Sequence, residues 1–585
     1  MGTQHRALLR LARRMPADAC IAIALTSCPV FAQSTGAANP GVQLRQEMRD
    51  MVSPVPSYDP DVSQEDPLDL PPDRPESAPQ DQKTLFFKAV RFQSNTVVEE
   101  EILVQPFVPL IGKEVTFEKL QQAAIQSEAI YKQAGFITTR VLVPPQDFSS
   151  GNIVIQVVEG FIEEVEVRGS TPGMQSYVKK ILQPVSNPGS KKIFNFKQLE
   201  RQLLLLRDFG GVKFDIFLAK GTQLGGSSLV VDLTTDSFGG GIGTNNSVSS
   251  SLGDWQVSAN ARYTLPISQP LKFVAGGSYA FPYNKGLLSA FGSLTTLIGN
   301  EGFKADAFWA GSSTESKDLY DGPADLQTLG SSNYWSFGIS YPLILERNAQ
   351  LSIALRGTGQ NSTNDLYIDD LKEANLSTDK LRAVRLVIDG YHATPKFTSS
   401  LSFQLSQGLD GLSNDLDSSE FPSNPDGDNN FTSALLNLSH TQRFVDTGTL
   451  VTLKGVGQLS STALPAPEAF TYGGSQFGRA FKGVYLLGDQ GWAGSVELAQ
   501  PISFQVSNKP LTVTPFLWYD YGSTEYKEGP LENNTASTYG IGLRGNGLYD
   551  TLFELGWGIP SSNSLESDKT GKDNSILYFN AGWRF

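Results

Sequence analysis

Arg479 stands between Phe477 and Phe481 in a long glycine-rich stretch, TYGGSQFGRAFKGVYLLGDQGWAGSVELAQP. Downstream, LTVTPFLWYDYG alternates: Thr512, Thr514 and Asp520 share one face, with Leu511, Val513, Leu517 and Tyr519 on the other. Glu497 alternates in the same way against Val496 and Leu498. A guanidinium offers a planar fork that a carboxylate accepts in two parallel bonds, so Asp520 is a ready partner for Arg479 if the loop folds toward it. That is chemistry for holding, not for bond breaking. His392 and His440 lie on different segments with no nucleophile motif beside them, so a hydrolase is not expected. GGGIG, residues 239–243, has no helix after it and reads as a glycine-rich strand rather than a phosphate loop. NDLDSSEFPSNPDGDNN, residues 414–430, lacks the spacing of a dedicated calcium loop and reads as an exposed acidic loop. No enzyme, cofactor or metal site is expected.

These residues need strands to aim them. From residue 235 onward helical patterns vanish. In DWQVSANARYTL, Trp255, Val257, Ala259, Ala261, Tyr263 and Leu265 face one way, and Gln256, Ser258, Asn260, Arg262 and Thr264 the other. Aromatics near both ends of the apolar row suit the two interfaces of a membrane barrel; a soluble sandwich would centre its large residues. Sixteen strands are expected, beginning near 236, 253, 270, 286, 301, 333, 348, 380, 397, 430, 449, 489, 510, 536, 550 and 575. Connections after even strands are mostly short, and those after strands 5, 7, 9, 11, 13 and 15 long. Such asymmetry belongs to outer-membrane barrels with both ends of the barrel chain on the periplasmic side. The last residues, SILYFNAGWRF, alternate up to Trp583 and Phe585, so Phe585 is expected to end a strand that pairs with the first, leaving no open edge in lipid.

Composition agrees. Apolar residues make 39% of 585 and charged residues 18%, with 56 glycines, as suits strands that spend half their residues on a polar face. Residues 1–32 read as an export signal: Arg6, Arg10, Arg13 and Arg14, then an apolar run, with Val30 and Ala32 at the cleavage positions. An alternative takes Leu25–Cys28 as a lipoprotein box. Both cysteines, Cys20 and Cys28, fall in this segment, so disulfides and thiolate metal sites are excluded from the mature chain. The segment carries four Arg against Asp18, so its removal takes the net charge from −14 to −17. Nucleic acid is therefore not a partner.

Residues 33–83 are a Pro- and Asp-rich linker that should not pack, with a short helix possible at residues 42–52. Residues 84–160 and 161–234 each read as β-α-α-β-β, with Thr116 and Asn195 as caps of the second helix in each unit. A module occurring twice suggests an interaction arm.

The chain resembles the two-partner secretion transporters of the outer membrane (haemolysin and adhesin transporters), within the superfamily of POTRA-bearing barrels. The resemblance covers residues 84–585, through YKQAGFITTRVLVPPQDFSSGNIVIQVVEG, LERQLLLLRDFGGVKFDIFLAKGTQLGGSSLVVDL and the sixteen-strand count. It implies two α+β POTRA units in the periplasm, at 84–160 and 161–234, and a transmembrane antiparallel barrel at 235–585. It places a lid-loop motif on Gly478, Arg479, Ala480 and Phe481, and a barrel motif on Trp518, Asp520 and Gly522. The family's Val-Arg-Gly is here Gly-Arg-Ala, and a positive φ at Ala480 would cost about 1 kcal/mol. It further implies that residues 42–52 plug the pore and that Trp583 and Phe585 form a C-terminal signal read by the barrel-assembly machinery. The implied function is passage of one unfolded partner exoprotein from periplasm to cell surface through a barrel set in outer-membrane lipid. Rival readings are a barrel-assembly insertase, a passive porin and an adhesin.

Overall fold

The computed structural model describes residues 39–51, 68–69, 84–186, 192–249, 252–281, 286–316, 326–368, 371–413, 422–506, 509–529, 533–547, 550–563 and 575–585. The expected export signal and most of the linker lie outside them.

Helix α1 (Pro40–Met51) is followed by the two-residue strand β1 (Leu68–Asp69). Asn39 starts α1 by accepting the Gly41 amide at 2.8 Å, with Pro40 at the first helical position. The first unit comprises β2 (Thr84–Phe87), β3 (Ala89–Gln93), α2 (Glu100–Val104), β4 (Lys113–Thr116), α3 (Phe117–Gln133), β5 (Arg140–Leu142) and β6 (Asn152–Val158). Its core gathers Phe87, Phe107, Leu120, Tyr131 and Ile155. The second comprises β7 (Phe161–Gly169), α4 (Pro172–Leu182), α5 (Phe196–Phe209), β8 (Gly211–Lys220) and β9 (Gly226–Asp236). The hydroxyl of Thr116 caps α3 and the Asn195 carboxamide caps α5.

In the second unit the sheet order is β1-β8-β9-β7. Leu68 and Asp69 pair in parallel with Ile216 and Phe217 of β8. The linker was expected not to pack; beyond α1, two of its residues do, through backbone bonds that any side chain permits.

The barrel runs β10 (Phe238–Asn245), β11 (Trp255–Leu265), β12 (Leu271–Phe281), β13 (Leu287–Ile298), β14 (Phe303–Ser316) and β15 (Leu326–Leu345). It continues with β16 (Ala349–Ile368), β17 (Leu371–Ala393), β18 (Phe397–Gly408), β19 (Thr432–Arg443) and β20 (Leu450–Ser460). A loop hairpin of β21 (Phe470–Tyr472) and β22 (Leu486–Gly488) follows. Then come β23 (Gln490–Ala499), β24 (Ile502–Val506), β25 (Lys509–Glu525), β26 (Asn534–Asn546), β27 (Thr551–Asn563) and β28 (Ile576–Arg584). β23 and β24 are one stave, both paired with β25, so the closed antiparallel barrel has sixteen strands. Among the described residues no helix is long and apolar enough to cross a membrane. The crossing is by strands.

The long connection expected after the seventh strand is absent. β16 and β17 stay paired as far as Ile368 and Leu371, and β15 begins at Leu326 rather than near 333. In QNSTNDLYIDDLKEANLSTDK both faces are polar, as befits a hairpin standing in water above the bilayer, so alternation fades while the ladder continues. Closure is between β10 and β28, in register from Gly241↔Arg584 to Asn245↔Asn580. The Phe585 amide and carbonyl both bond to Gly240, at 3.0 and 2.9 Å.

The second unit is seated on the barrel's periplasmic turns by α5. All four leucines 203–206 are buried: Leu203 and Leu206 in the unit's own core, Leu204 and Leu205 against Leu345 of the barrel. Glu200 pairs with Arg347 at 2.6 Å, and Asp208 with Lys304.

Candidate functional site

Alternation aims Asp520 of β25 and Glu497 and Ser495 of β23 into the lumen, while Leu517, Tyr519, Val496 and Leu498 face outward. The loop between β20 and β23 turns inward and delivers Arg479 to them. Its Nε and Nη2 donate to Asp520 Oδ2 and Oδ1 at 3.2 and 3.1 Å. Nη1 donates to Glu497 Oε2 at 2.7 Å, and Nη2 also reaches Ser495 Oγ at 3.1 Å. The backbone amides of Gly478 and Arg479 donate to Asp520 Oδ2 at 3.0 and 3.2 Å. The guanidinium lies 4.3 Å from the Trp518 ring centre. Asp520 is fully buried and Arg479 is 9% exposed.

The motif glycines have steric causes. A Cβ on Gly522 would stand 2.2 Å from the Tyr472 ring, so Gly522 makes room for the loop hairpin. The expected strain at Ala480 is absent. Positive φ falls on Gly478 (+74°), two residues earlier, where the Tyr472 ring would also lie 2.8 Å from a Cβ. Ala480 packs its methyl with Phe516 and Trp518, and Phe481 stacks on Tyr485 at 3.7 Å.

Sequence reasoning missed Arg544 and Glu554, which extend the network. Arg544 donates to Glu497 Oε1 at 3.2 Å and to Glu554 Oε2 at 2.7 Å. Parity against Leu543 and Leu555 would have found both. Trp583 and Phe585 lie on the outer face beside Phe238, 5.9 Å from the Phe585 ring, and contribute nothing to the lumen.

Helix α1 occupies the lumen. Arg45 pairs with Glu468 in the loop, and Glu468 is shared with Arg385 of β17 at 2.7 Å. Glu47 accepts from Gln256 at 2.8 Å and from Ser278 at 2.8 Å. Gln360 donates to the Gly41 carbonyl at 3.1 Å, and Val42 packs with Ala466, Ala469 and Leu487. Among the described residues no group of His, Cys, Asp and Glu is arranged to hold a metal.

A closed sixteen-strand barrel with a periplasmic α+β arm, an internal helix and an inward loop defines a POTRA-bearing outer-membrane barrel. The chain belongs to the haemolysin secretion/activation protein family ShlB/FhaC/HecB, which it matches over residues 225–545; residues 85–160 match the ShlB-type POTRA domain. It is 22% identical to the outer membrane transporter CdiB of Dickeya dadantii over 415 residues, 69% of this chain and 70% of that one. It is 21% identical to the heme/hemopexin transporter protein HuxB of Haemophilus influenzae over 141 residues, 24% and 25% of the two. The structure of CdiB from Escherichia coli superposes with a TM-score of 0.68 at 18% identity, covering 93% of this chain and 98% of that one. The chain is an outer-membrane transporter of the two-partner secretion type, with its POTRA region in the periplasm. Transporters of this family act with secreted exoprotein partners.

Proposed function

We propose that the two POTRA units take an unfolded partner exoprotein by strand addition and hand it to the barrel lumen, which opens when α1 and the inward loop release it. The observation that carries this reading is the lumen itself: a closed polar channel filled by two of the chain's own segments, each held through side-chain pairs that can exchange. Strand addition needs a sheet edge whose backbone groups are available, and gives affinity through main-chain bonds. β8 is such an edge, and Leu68–Asp69 of the linker already lies along it in parallel. Cargo arriving there would compete with the segment that tethers α1, so docking and unplugging would be linked. Arg479 and Asp520 would hold the loop at rest. The signal at 1–32, the unit boundaries at 84–160 and 161–234, lipid contact by the outer face, and delivery of Trp583 and Phe585 to the barrel-assembly machinery belong to the same reading. The chain would do no enzymatic chemistry, the work coming from folding of the exported protein outside.

The experiment is deletion of the transporter followed by comparison of proteins released into the medium. One large exoprotein should vanish from the medium and return on complementation. An unchanged set of released proteins would overturn the reading, and general loss of outer-membrane barrels would favour the insertase.

A further inference from the structure

His392 and His440, the two histidines among the described residues, come from different strands and arrive at the same place. Register sets His392 of β17 opposite Ser399 of β18, and Ser399 opposite His440 of β19. One outward position further into the membrane, the same three strands present Gly390, Leu401 and Leu438. Leu401 and Leu438 are exposed on the outer face, at 36% and 49%. The His–Ser–His row is the next outward position toward the periplasmic turns, with Phe397 beyond it and Leu453 beside it. It lies on strands adjoining those the second unit sits under.

Phe397 fills the gap between the imidazoles. Its ring centre is 5.4 Å from His392, edge to face, and 5.7 Å from His440. An aromatic face favours a cationic neighbour. Ser399 Oγ lies 2.8 Å from His440 Nδ1, which fixes that ring. When Nδ1 accepts from the serine hydroxyl, Nε2 bears the ring hydrogen and serves as a donor. At this level the flanking strands present Ala349 and Leu453, neither charged. Asp389 on β17 has the opposite parity and faces the lumen. The β17–β18 turn carries Lys396, Arg443 ends β19 on the lumenal parity, and Asp446 lies in the turn that follows it.

We propose that His392, Ser399 and His440 form a binding surface for the headgroup phosphate of an inner-leaflet phospholipid. The phosphodiester oxygens accept from the two imidazoles, the acyl chains lie along Leu401 and Leu438, and Phe397 seats between headgroup and chain.

The test uses the full-length transporter in phosphatidylcholine nanodiscs doped with phosphatidylglycerol, counting retained lipids by native mass spectrometry. The parent should retain phosphatidylglycerol. His392→Ala and His440→Ala should each weaken retention roughly fivefold, and the double variant should lose it further. Heat-modifiable migration in electrophoresis checks that the variant barrels are assembled. His392→Lys with His440→Lys should restore retention. Equal retention by parent and double alanine variant would overturn the proposal. So would displacement of the lipid by an equal concentration of inorganic phosphate, which would make the surface an anion site rather than a lipid site.

Discussion

The methyl of Ala480 lies so close to Gly558 of β27 that a Cβ on that glycine would stand 3.0 Å from it. The loop tip is thus fitted to the wall formed by β25, β26 and β27, and the tip's left-handed residue is Gly478 rather than Ala480. Ala480→Gly should leave secretion close to the parent's. Gly478→Val should not. A β-branched residue at φ +74° costs about 1–2 kcal/mol in backbone strain alone, and its Cβ would meet the Tyr472 ring. Protease nicking of the loop on intact cells, together with release of the exoprotein, reads both variants. Normal secretion by Gly478→Val would mean that the tip is held in another way.

Asp520 and Glu497 do unequal work on Arg479. Asp520 receives both the side-chain fork and two backbone amides, whereas Glu497 divides itself between Arg479 and Arg544. Arg479→Ala and Asp520→Ala should each cut secretion sharply in barrels that still assemble. Stranding one member of a buried pair costs about 3–5 kcal/mol. The double variant should be little worse than either single, because coupled partners are not additive. Glu497→Ala should be milder. Defects of Arg479→Ala and Asp520→Ala that simply add would exclude a shared lock.

How far the chain could be read in advance follows from what each feature leaves in the side chains. A strand's period of two fixed the direction of Asp520 and Glu497 before any coordinates were needed, because one wall faced lipid and the other water. Where both faces are wet, as in residues 360–380, that signal disappears and the β16–β17 hairpin looked like a loop. Leu68–Asp69 could not be seen at all, since its pairing rests on backbone groups every residue has. The run Leu203–Leu206 exceeds one helix face because α5 is covered on two sides, by its own unit's core and by the barrel turn.

The second unit carries its own acid sensitivity. A bulge in β7 at Glu163 aims the carboxylate over the turn between β8 and β9. The backbone amides of Gln223 and Thr222 donate to it at 2.7 and 3.0 Å, and the Thr222 hydroxyl adds a third bond. These bonds favour the ionised form, with the Gln223 amide first, and hold the pKa below the usual glutamate value. A depressed carboxyl stabilises the fold above its unfolded pKa, about 4.3, and that stability is lost as pH falls through the lower folded value. The protection of residues 221–226 against hydrogen exchange, relative to the intrinsic rate at each pH, should therefore fall on acidification below about pH 4 in the parent. In Glu163→Gln the exchange should be faster at neutral pH and less responsive to acid. A turn whose exchange ignores both acid and the substitution would mean that Glu163 does not hold it.

Glu468 serves two arginines at once, and its removal should differ from removal of either. Arg45 belongs to α1, Arg385 to the barrel wall, and Glu468 to the loop, where it is 3% exposed. In Arg45→Ala the loop and wall keep their pair, and only the helix loses its hold. Single-channel conductance in planar bilayers should rise toward that of a chain lacking residues 39–51, while the loop stays resistant to protease. In Glu468→Gln the two guanidiniums face each other across a neutral amide, in a lumen that screens charge poorly. That arrangement should expel the helix and loosen the loop together, so conductance and protease sensitivity should rise in step. Should Arg45→Ala conduct like the parent, α1 is held chiefly by Glu47 with Gln256 and Ser278 and by the Gln360 bond to Gly41. Glu47→Ala would then open the channel where Arg45→Ala had not.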